Sequence, residues 1–228
     1  MQTSMRHRAL APSDRPATAV HRIAPTLTAV CVSVALACSA SCAVSGEPSP
    51  AVTESAPTAT IRQTDSTGKK LPFTTRFPDR WSANNDGTAY EPCTALSDTE
   101  LLASGLDPKS VSDAAMANHQ TARGCSWRHS GIRLSSIGQI TGNKPTFEER
   151  MKLRSNFKTW WDLTIGGRLV MVDPDSAASC TVTVKSGRSP VSTIVTRTWN
   201  APPTKELCAI AIDFTRRTIP KMEPSAPS

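Results

Sequence analysis

The chain has 228 residues, of which 38% are hydrophobic, 5% are aromatic and 20% are charged, and its formal net charge is +7. Its lysines and arginines form no basic run and are not interleaved with aromatic residues, which argues against a nucleic-acid-binding surface. The mild positive charge would suit an anionic membrane surface, although an ordinary solvated surface explains it more simply.

The first 37 residues have the pattern of a secretion signal. A basic region with four arginines precedes an apolar stretch from Ile23 to Ala37, which is shorter than the roughly 20 residues that a membrane span requires. We therefore expect residues 1–37 to be a signal peptide and the protein to be exported. Loss of these four arginines and one aspartate would lower the formal charge from +7 to +4.

The cleavage site has three interpretations. Ala35 and Ala37 form a small-residue site for an ordinary signal peptidase. Cys38 or Cys42 could instead be the acylated cysteine of a bacterial lipoprotein, although Leu36 stands two residues before Cys38 rather than the usual three. A plain secreted protein would keep both cysteines as free thiols, and this is disfavoured because free exposed cysteine is a liability in an oxidising compartment. Lipidation at Cys38 or Cys42 is therefore the favoured prediction.

Composition divides the remaining chain into three parts. Residues 38–78 are rich in Ser, Thr, Ala, Pro and Gly and contain almost nothing apolar, so they cannot offset the entropy lost on ordering and are predicted to be a flexible tether. Residues 221–228 have the same character and are predicted to be a disordered tail. Residues 79–220 are predicted to form a single domain.

Three helices are predicted within this domain. Capping boxes at Ser97–Glu100 and Thr146–Glu149 begin the first two, and Gly105 is placed to end the first after Ser104. The second is predicted to carry Phe147, Met151, Leu153 and Phe157. The third follows Pro203 and has an apolar stripe at positions i, i+3, i+4 and i+7. This stripe consists of Leu207, Ile210, Ala211 and Phe214.

Three hairpins are predicted from paired runs of strand-forming residues. Their turns are Ser130-Gly131, Gly166-Gly167 and Ser186-Gly187-Arg188, and their strands are 125–128 with 132–137, 161–165 with 168–172, and 180–184 with 191–199. Hairpins interspersed with helices indicate an α+β fold, in which helices cover one face of an antiparallel β-sheet.

The domain offers little catalytic chemistry. His119 and His129 are its only histidines, and we expect both at the surface. Asp173 and Asp175 flank Pro174 in an expected turn, which explains them without a bound cation. The sequence contains none of the common catalytic or phosphate-binding motifs. No enzyme activity, cofactor or metal is therefore predicted.

Trp160 and Trp161 are the most suggestive apolar pair. Adjacent strand residues face opposite sides of a sheet, so one indole should enter the core and the other should face outward. An outward tryptophan on an anchored protein could hold a sugar or a lipid. Trp160 and Trp161 are thus candidate ligand-binding residues, although one core residue and one rim residue would explain them without any function.

Several segments of the domain together resemble a known family. They are Phe77–Trp81, Asn85–Ser97, Gly124–Trp127, Cys180–Val182 and Leu207–Ala211. With these segments the chain resembles the actinobacterial lipoproteins grouped as domain of unknown function 3558. The resemblance covers most of residues 77–220 and implies an envelope protein with a lipidated cysteine, a tether and four paired cysteines. It implies no activity and no catalytic residue.

Four of the seven cysteines, Cys93, Cys125, Cys180 and Cys208, lie in the domain. Their even number in an exported chain indicates two disulfides, for which three connectivities are possible, and their wide separation is unlike a zinc site. From the expected elements we predict that Cys93 pairs with Cys125 and pins the first helix to a sheet edge. Cys180 would then pair with Cys208 and lock the last helix across the sheet.

Three functions follow as hypotheses. The first is a lipid-anchored, non-enzymatic binding module on the outer face of the cytoplasmic membrane, with a tether reach on the order of 30 to 40 Å. Its partner would be an envelope protein, a glycan or a lipid. The alternative is a carrier of a lipid or other apolar ligand, with Trp160 or Trp161 lining its cavity. A cell-wall enzyme ranks last.

Overall fold

The computed structural model describes residues 60–226, which belong to the unit Glu54–Ser228. The predicted signal peptide, the candidate lipidation residues Cys38 and Cys42, and the first part of the predicted tether lie outside the described residues. Among residues 60–226, no helix combines the length and apolar character needed to cross a membrane.

A seven-stranded antiparallel sheet forms the centre of the domain. Its strands are β1 (Ser112–Asp113), β2 (Ala122–Arg128), β3 (Ser135–Gly142), β4 (Trp161–Ile165), β5 (Arg168–Ser176), β6 (Ser179–Ser186) and β7 (Ser189–Arg197). Their order across the sheet is β1-β2-β3-β7-β6-β5-β4. Two-residue turns connect β4 to β5, β5 to β6 and β6 to β7, and longer loops connect β1 to β2 and β2 to β3. The pairing of β3 with β7 joins these two groups of strands. Strands β1 and β4 are the edges.

The three predicted hairpins are present, although several of their strand boundaries are shifted. Ile165 pairs with Arg168 across Gly166 and Gly167, which both have positive φ as a two-residue hairpin turn requires. The first hairpin has a longer loop than predicted, because β3 begins at Ser135 and not at Ile132. The backbone N–H of His129 donates to the carbonyl of Ser135 at 3.0 Å and closes this loop.

The expected turn at Asp173 and Asp175 is wrong. Both residues lie within β5, which continues to Ser176, and the pairing of β5 with β6 shifts register between Asp173 and Ser176. The chain reverses at residues 177–178 instead. The irregular register accommodates Pro174 within the strand, because proline has no backbone N–H to donate to a regular ladder of hydrogen bonds.

Four α-helices accompany the sheet. They are α1 (Pro92–Ala95), α2 (Asp98–Leu102), α3 (Phe147–Leu153) and α4 (Thr204–Thr218). The predicted capping boxes begin α2 and α3, with Ser97 and Thr146 as the N-caps. Helix α3 is followed by a 3₁₀ turn at Arg154–Asn156. Phe157, which the sequence predicts in this helix, therefore lies beyond its end.

One face of the sheet carries the main hydrophobic core. Helix α4 buries Leu207, Ala211 and Phe214 of its predicted stripe against strand residues such as Val182 and Val195. Residues that alternate with these point to the opposite face. There the buried Phe147 of α3 and Met171 of β5 lie outside the main core cluster. The α+β class is confirmed, and α3 contributes helix cover on the second face.

Both predicted disulfides are confirmed. Cys93, within α1, is bonded to Cys125 of β2 across a sequence separation of 32. Cys180 of β6 is bonded to Cys208 of α4 across a separation of 28. One bridge therefore fastens the N-terminal segment to β2, and the other fastens α4 to the centre of the sheet.

The ordered domain is larger than the predicted residues 79–220. Within the predicted tether, Leu71 is only 3% exposed and belongs to the core cluster, and the Asp65 carboxylate accepts a hydrogen bond from Thr94 at 2.6 Å. Within the predicted tail, Met222 is buried and the Glu223 carboxylate accepts from Thr88 at 2.6 Å. These polar segments are ordered by specific hydrogen bonds that their composition does not reveal.

Candidate functional site

An open groove lies at the end of the sheet where β4 begins and β5 ends. Its volume is about 850 Å³, within the range of roughly 300–1,000 Å³ typical of small-molecule sites. Three apolar side chains, Phe157, Trp161 and Pro174, form its wall. The remaining lining residues are polar: Asn156, Lys158, Thr159, Asp175, Ser176, Thr204 and Lys205.

The sheet and a buried arginine hold Trp161 in place. Trp161 is the first residue of β4, stands opposite Val172 of β5, and is partly buried against the core cluster. Its backbone carbonyl accepts a hydrogen bond from Nη2 of Arg154 at 2.8 Å. The apolar wall of the groove is therefore attached to the framework of the domain.

Arg154 organises the segment that borders the groove. It is only 2% exposed, and its Nε donates to Oδ1 of Asp173 at 2.8 Å. Its Nη1 pairs with Oδ1 of Asp162 at 2.5 Å, and its guanidinium lies 4.5 Å from the centre of the Trp160 ring. One side chain thus joins the 3₁₀ turn, the start of β4 and the end of β5.

The Asp173 carboxylate in this cluster is incompletely satisfied. Burial raises its pKa, against the hydrogen bond and positive charge of Arg154. Within residues 60–226, Oδ2 of Asp173 has no hydrogen-bond partner, and Nη2 of Arg150 stands 3.9 Å from it. The cluster therefore retains an electrostatic penalty that a full set of partners would remove.

The charged side chains that line the groove differ in their interaction partners. Oδ2 of Asp175 accepts hydrogen bonds from Thr181 at 2.5 Å and from Ser179 at 3.5 Å. Lys158 and Lys205 are exposed, and neither forms an ion pair with any residue in the described part of the chain. The two lysines outnumber the single carboxylate, so the charged side chains that line the groove sum to +1.

The two candidate tryptophans have different positions. Trp161 lines the groove, whereas Trp160 lies outside it, is 48% exposed and stacks with Arg154. The sequence contains no signal that places Phe157, Pro174, Lys158 or Lys205 in a groove. The sequence predicts Phe157 in a helix and Pro174 in a turn, and an isolated lysine carries no signal of its own.

A second cleft, of about 620 Å³, is polar. Arg62, Trp81, Asp86, Arg188 and Glu223 contribute to its lining. The Arg62 guanidinium lies 4.2 Å from the centre of the Trp81 ring. Arg188 and Asp86, both largely exposed, form a loose pair at 3.9 Å. The Glu223 carboxylate accepts hydrogen bonds from the Thr88 hydroxyl and the Ala89 backbone N–H. These charged side chains therefore already have partners, and the cleft offers fewer unengaged charges than the groove.

Neither histidine lies at either cleft. His119 is exposed, with Nε2 at 3.3 Å from Oδ2 of Asp79. His129 is buried, which corrects the surface position expected for it, and its Nδ1 shares a 2.9 Å hydrogen bond with the Ser135 hydroxyl. Burial, followed by the charge of Arg197, lowers the pKa of His129. Among residues 60–226, no group of three or more His, Cys, Asp or Glu side chains could hold a metal ion.

Comparison with known families gives one result. The family model described as "Protein of unknown function (DUF3558)" matches residues 34–221. The chain belongs to this family. The DUF3558 match includes both disulfides and every residue that lines the groove. No curated protein and no solved structure shows significant similarity to the chain.

Proposed function

We propose that this DUF3558 protein is an exported, lipid-anchored binding module of the cell envelope, located on the outer face of the cytoplasmic membrane. It binds its partner in the groove beside Trp161 and does not transform it. The observation that carries the proposal is the groove itself, in which an apolar wall attached to the sheet is bordered by exposed, unpaired lysines. Such concave, largely preformed sites are typical of ligand binding.

The framework around the groove supports binding without large rearrangement. Arg154 joins the three segments that border the groove, and the Cys180–Cys208 bridge fastens α4, whose first residues complete the lining. A preformed site loses little entropy when a ligand binds. The apolar wall therefore remains available as a contact surface rather than collapsing into the core.

Export and anchoring are supported by three features. Residues 1–37 have the pattern of a secretion signal, and Cys38 and Cys42 stand directly after it. The two disulfides are typical of proteins that fold in an oxidising compartment. An acyl chain on the N-terminal cysteine would hold the domain near the membrane.

The anchoring proposal is tested by intact mass and detergent partitioning of the wild type, Cys38→Ala, Cys42→Ala and the double variant. We expect an acylated wild type in the detergent phase and loss of the acyl mass in the double variant. Loss in only one single variant identifies the acylated cysteine. An unmodified wild type in the aqueous phase would refute anchoring.

The binding proposal is tested by native mass spectrometry of protein purified from its own envelope. We expect a co-purifying ligand in the wild type and its loss in Trp161→Ala. Trp199→Ala is the matched control, because Trp199 is 55% exposed, does not line the groove and stacks with Arg133. Equal ligand content in the two variants would contradict the assignment of the groove.

A carrier of a lipid or other apolar ligand is the second candidate. The aromatic wall of the groove favours it, because Phe157 and Trp161 present apolar surface that a transported chain could cover. A carrier differs from a binding module because it must also release its ligand. Transfer of a fluorescent lipid between donor and acceptor vesicles, accelerated by wild type and not by Trp161→Ala, would favour the carrier over the binding module.

A further inference from the structure

We propose that the groove binds a single-chain anionic amphiphile. Its alkyl chain lies along the wall formed by Phe157, Trp161 and Pro174, and its negatively charged headgroup pairs with Lys158 or Lys205 at the border. This inference rests on the proposed function, because it names the ligand class for the same groove.

The apolar wall selects for an alkyl chain. Its two aromatic rings and its proline ring come from three separate segments, the end of the 3₁₀ turn, the start of β4 and the irregular part of β5. Each methylene group that is transferred from water to such a surface increases affinity by up to about fourfold. Affinity should therefore depend on chain length.

The border of the groove selects for negative charge. Lys158 and Lys205 both line the groove, and both lack an ion-pair partner among residues 60–226. The Asp175 carboxylate is already hydrogen-bonded to Thr181 and Ser179 of β6. Hydrogen bonds from neutral hydroxyls leave the negative charge of Asp175 in place, so the two unpaired lysines and this carboxylate give the groove lining a net charge of +1. The lining therefore favours an anionic headgroup over a cationic one.

The size of the groove selects for one molecule. Its volume of about 850 Å³ corresponds to a small-molecule site, and its apolar residues line a concavity rather than a flat surface. A bilayer surface would contact protruding side chains, whereas Trp161 is partly buried and set back against the core. The geometry thus points to a monomeric amphiphile as the occupant.

The test is titration calorimetry with amphiphiles that share a dodecyl chain, at concentrations below micelle formation. The full chain carries Cys38→Ala and Cys42→Ala, so that no acyl anchor or detergent competes. We expect dodecyl phosphate to bind at least tenfold more tightly than dodecyl maltoside, and dodecyltrimethylammonium to bind most weakly. Decyl phosphate should bind about tenfold more weakly than dodecyl phosphate, and inorganic phosphate alone should show no saturable binding.

Two sets of variants assign these effects to residues. Lys158→Gln combined with Lys205→Gln should abolish the preference for phosphate and leave the affinity for dodecyl maltoside unchanged. Lys109→Gln, an exposed lysine outside the groove, is the matched control. Trp161→Ala should weaken all three dodecyl probes at least tenfold. Phe157→Ala is a second wall variant, because Phe157 is 39% exposed and its replacement should not disturb folding.

The outcomes separate this inference from the proposed function. Equal affinities for the three headgroups, or a phosphate preference that survives both lysine substitutions, would overturn the inference. The binding module would still stand if the envelope-purified protein carried another ligand that Trp161→Ala loses. Failure of every amphiphile to bind, together with no Trp161-dependent ligand from the envelope, would overturn both.

Discussion

The two edges of the sheet each contain a buried arginine cluster, and the two clusters differ in how well they are satisfied. Near β1 and β2, Oε2 of Glu91 accepts from Nη1 of Arg80 at 2.9 Å and from Nη1 of Arg123 at 2.8 Å. Arg80 also pairs with Asp113 through Nε at 3.0 Å. Two arginines and two carboxylates therefore balance each other in the interior.

Near β4 and β5, the cluster around Arg154 is less complete. Oδ2 of Asp173 and Nε of Arg150 have no hydrogen-bond partner in the described part of the chain, and the groove opens beside the cluster. A satisfied polar cluster specifies one rigid arrangement, whereas an incomplete one lowers stability. The β1–β2 edge therefore serves mainly as framework, whereas the β4–β5 edge is less stable and leaves a surface accessible to a ligand.

The largest expected effect is at the satisfied cluster. Glu91→Ala leaves Arg80 and Arg123 buried with one carboxylate between them, and breaking a buried pair in this way lowers the free energy of unfolding by about 3–5 kcal/mol. Urea denaturation followed by circular dichroism measures this loss. Asp162→Ala is the control at the other edge, since the Asp162 side chain is 42% exposed and its removal should cost at most about 1 kcal/mol. Similar losses in both variants would contradict the comparison.

Removal of each disulfide compares the β1–β2 edge with the centre of the sheet, where Cys180 of β6 is bonded to α4. The separations of 32 and 28 residues predict nearly equal losses of about 3–4 kcal/mol for Cys93→Ala/Cys125→Ala and Cys180→Ala/Cys208→Ala. Nη2 of Arg80 lies 3.2 Å from Sγ of Cys93, so the first bridge also borders the satisfied cluster. A larger loss of unfolding free energy for Cys93→Ala/Cys125→Ala would show that the bridge supports this cluster beyond loop closure.

Arg154 links the incomplete cluster to the groove. Arg154→Ala should lower the free energy of unfolding by about 2–4 kcal/mol, less than Glu91→Ala, because Asp173 can take up a proton when its arginine is removed. The same variant should weaken ligand binding, since the Trp161 carbonyl loses its donor. Arg154→Lys should not restore either property, because lysine cannot form the same fork of hydrogen bonds. Full rescue by lysine, measured by urea denaturation and calorimetry, would contradict this role.

The smallest expected effects are changes of stability with pH, which have opposite signs for Asp173 and Asp65. Burial raises the pKa of Asp173 above 3.8, so its contribution to stability is full at low pH and is lost as the pH rises through the folded pKa. Burial alone would also raise the pKa of Asp65, but hydrogen bonds from Thr94, Thr67 and Lys69 lower it below 3.8. The contribution of Asp65 is therefore present at neutral pH and is lost as the pH falls.

Urea denaturation between about pH 3 and pH 7 separates the two carboxylates. Asp173→Asn should remove a component of stability that declines with rising pH, and Asp65→Asn should remove one that increases with rising pH. The wild type measured over the same range is the reference. The same sign of change in both variants would show that the two sites are not electrostatically different.

Local patterns in the sequence determined much of the framework. The capping boxes at Ser97 and Thr146, the Gly166-Gly167 turn and the apolar stripe of α4 each depend on residues within a few positions of one another. The physical interactions that they predict, cap hydrogen bonds and one buried helix face, are equally local. Once these elements were placed, the positions of the four cysteines were sufficient to predict both disulfides.

The location of the groove, the order of the strands and the extent of the domain are determined only by the tertiary structure. Lys158 and Lys205 are distant in sequence and become neighbours of one cavity only because β5 continues past Asp173 and α4 begins beside its end. Leu71 and Glu223 sit in segments whose composition predicts disorder, yet each is held by contacts with residues far along the chain. Such contacts leave no periodic or local pattern, because their energy depends on which surfaces the completed sheet brings together.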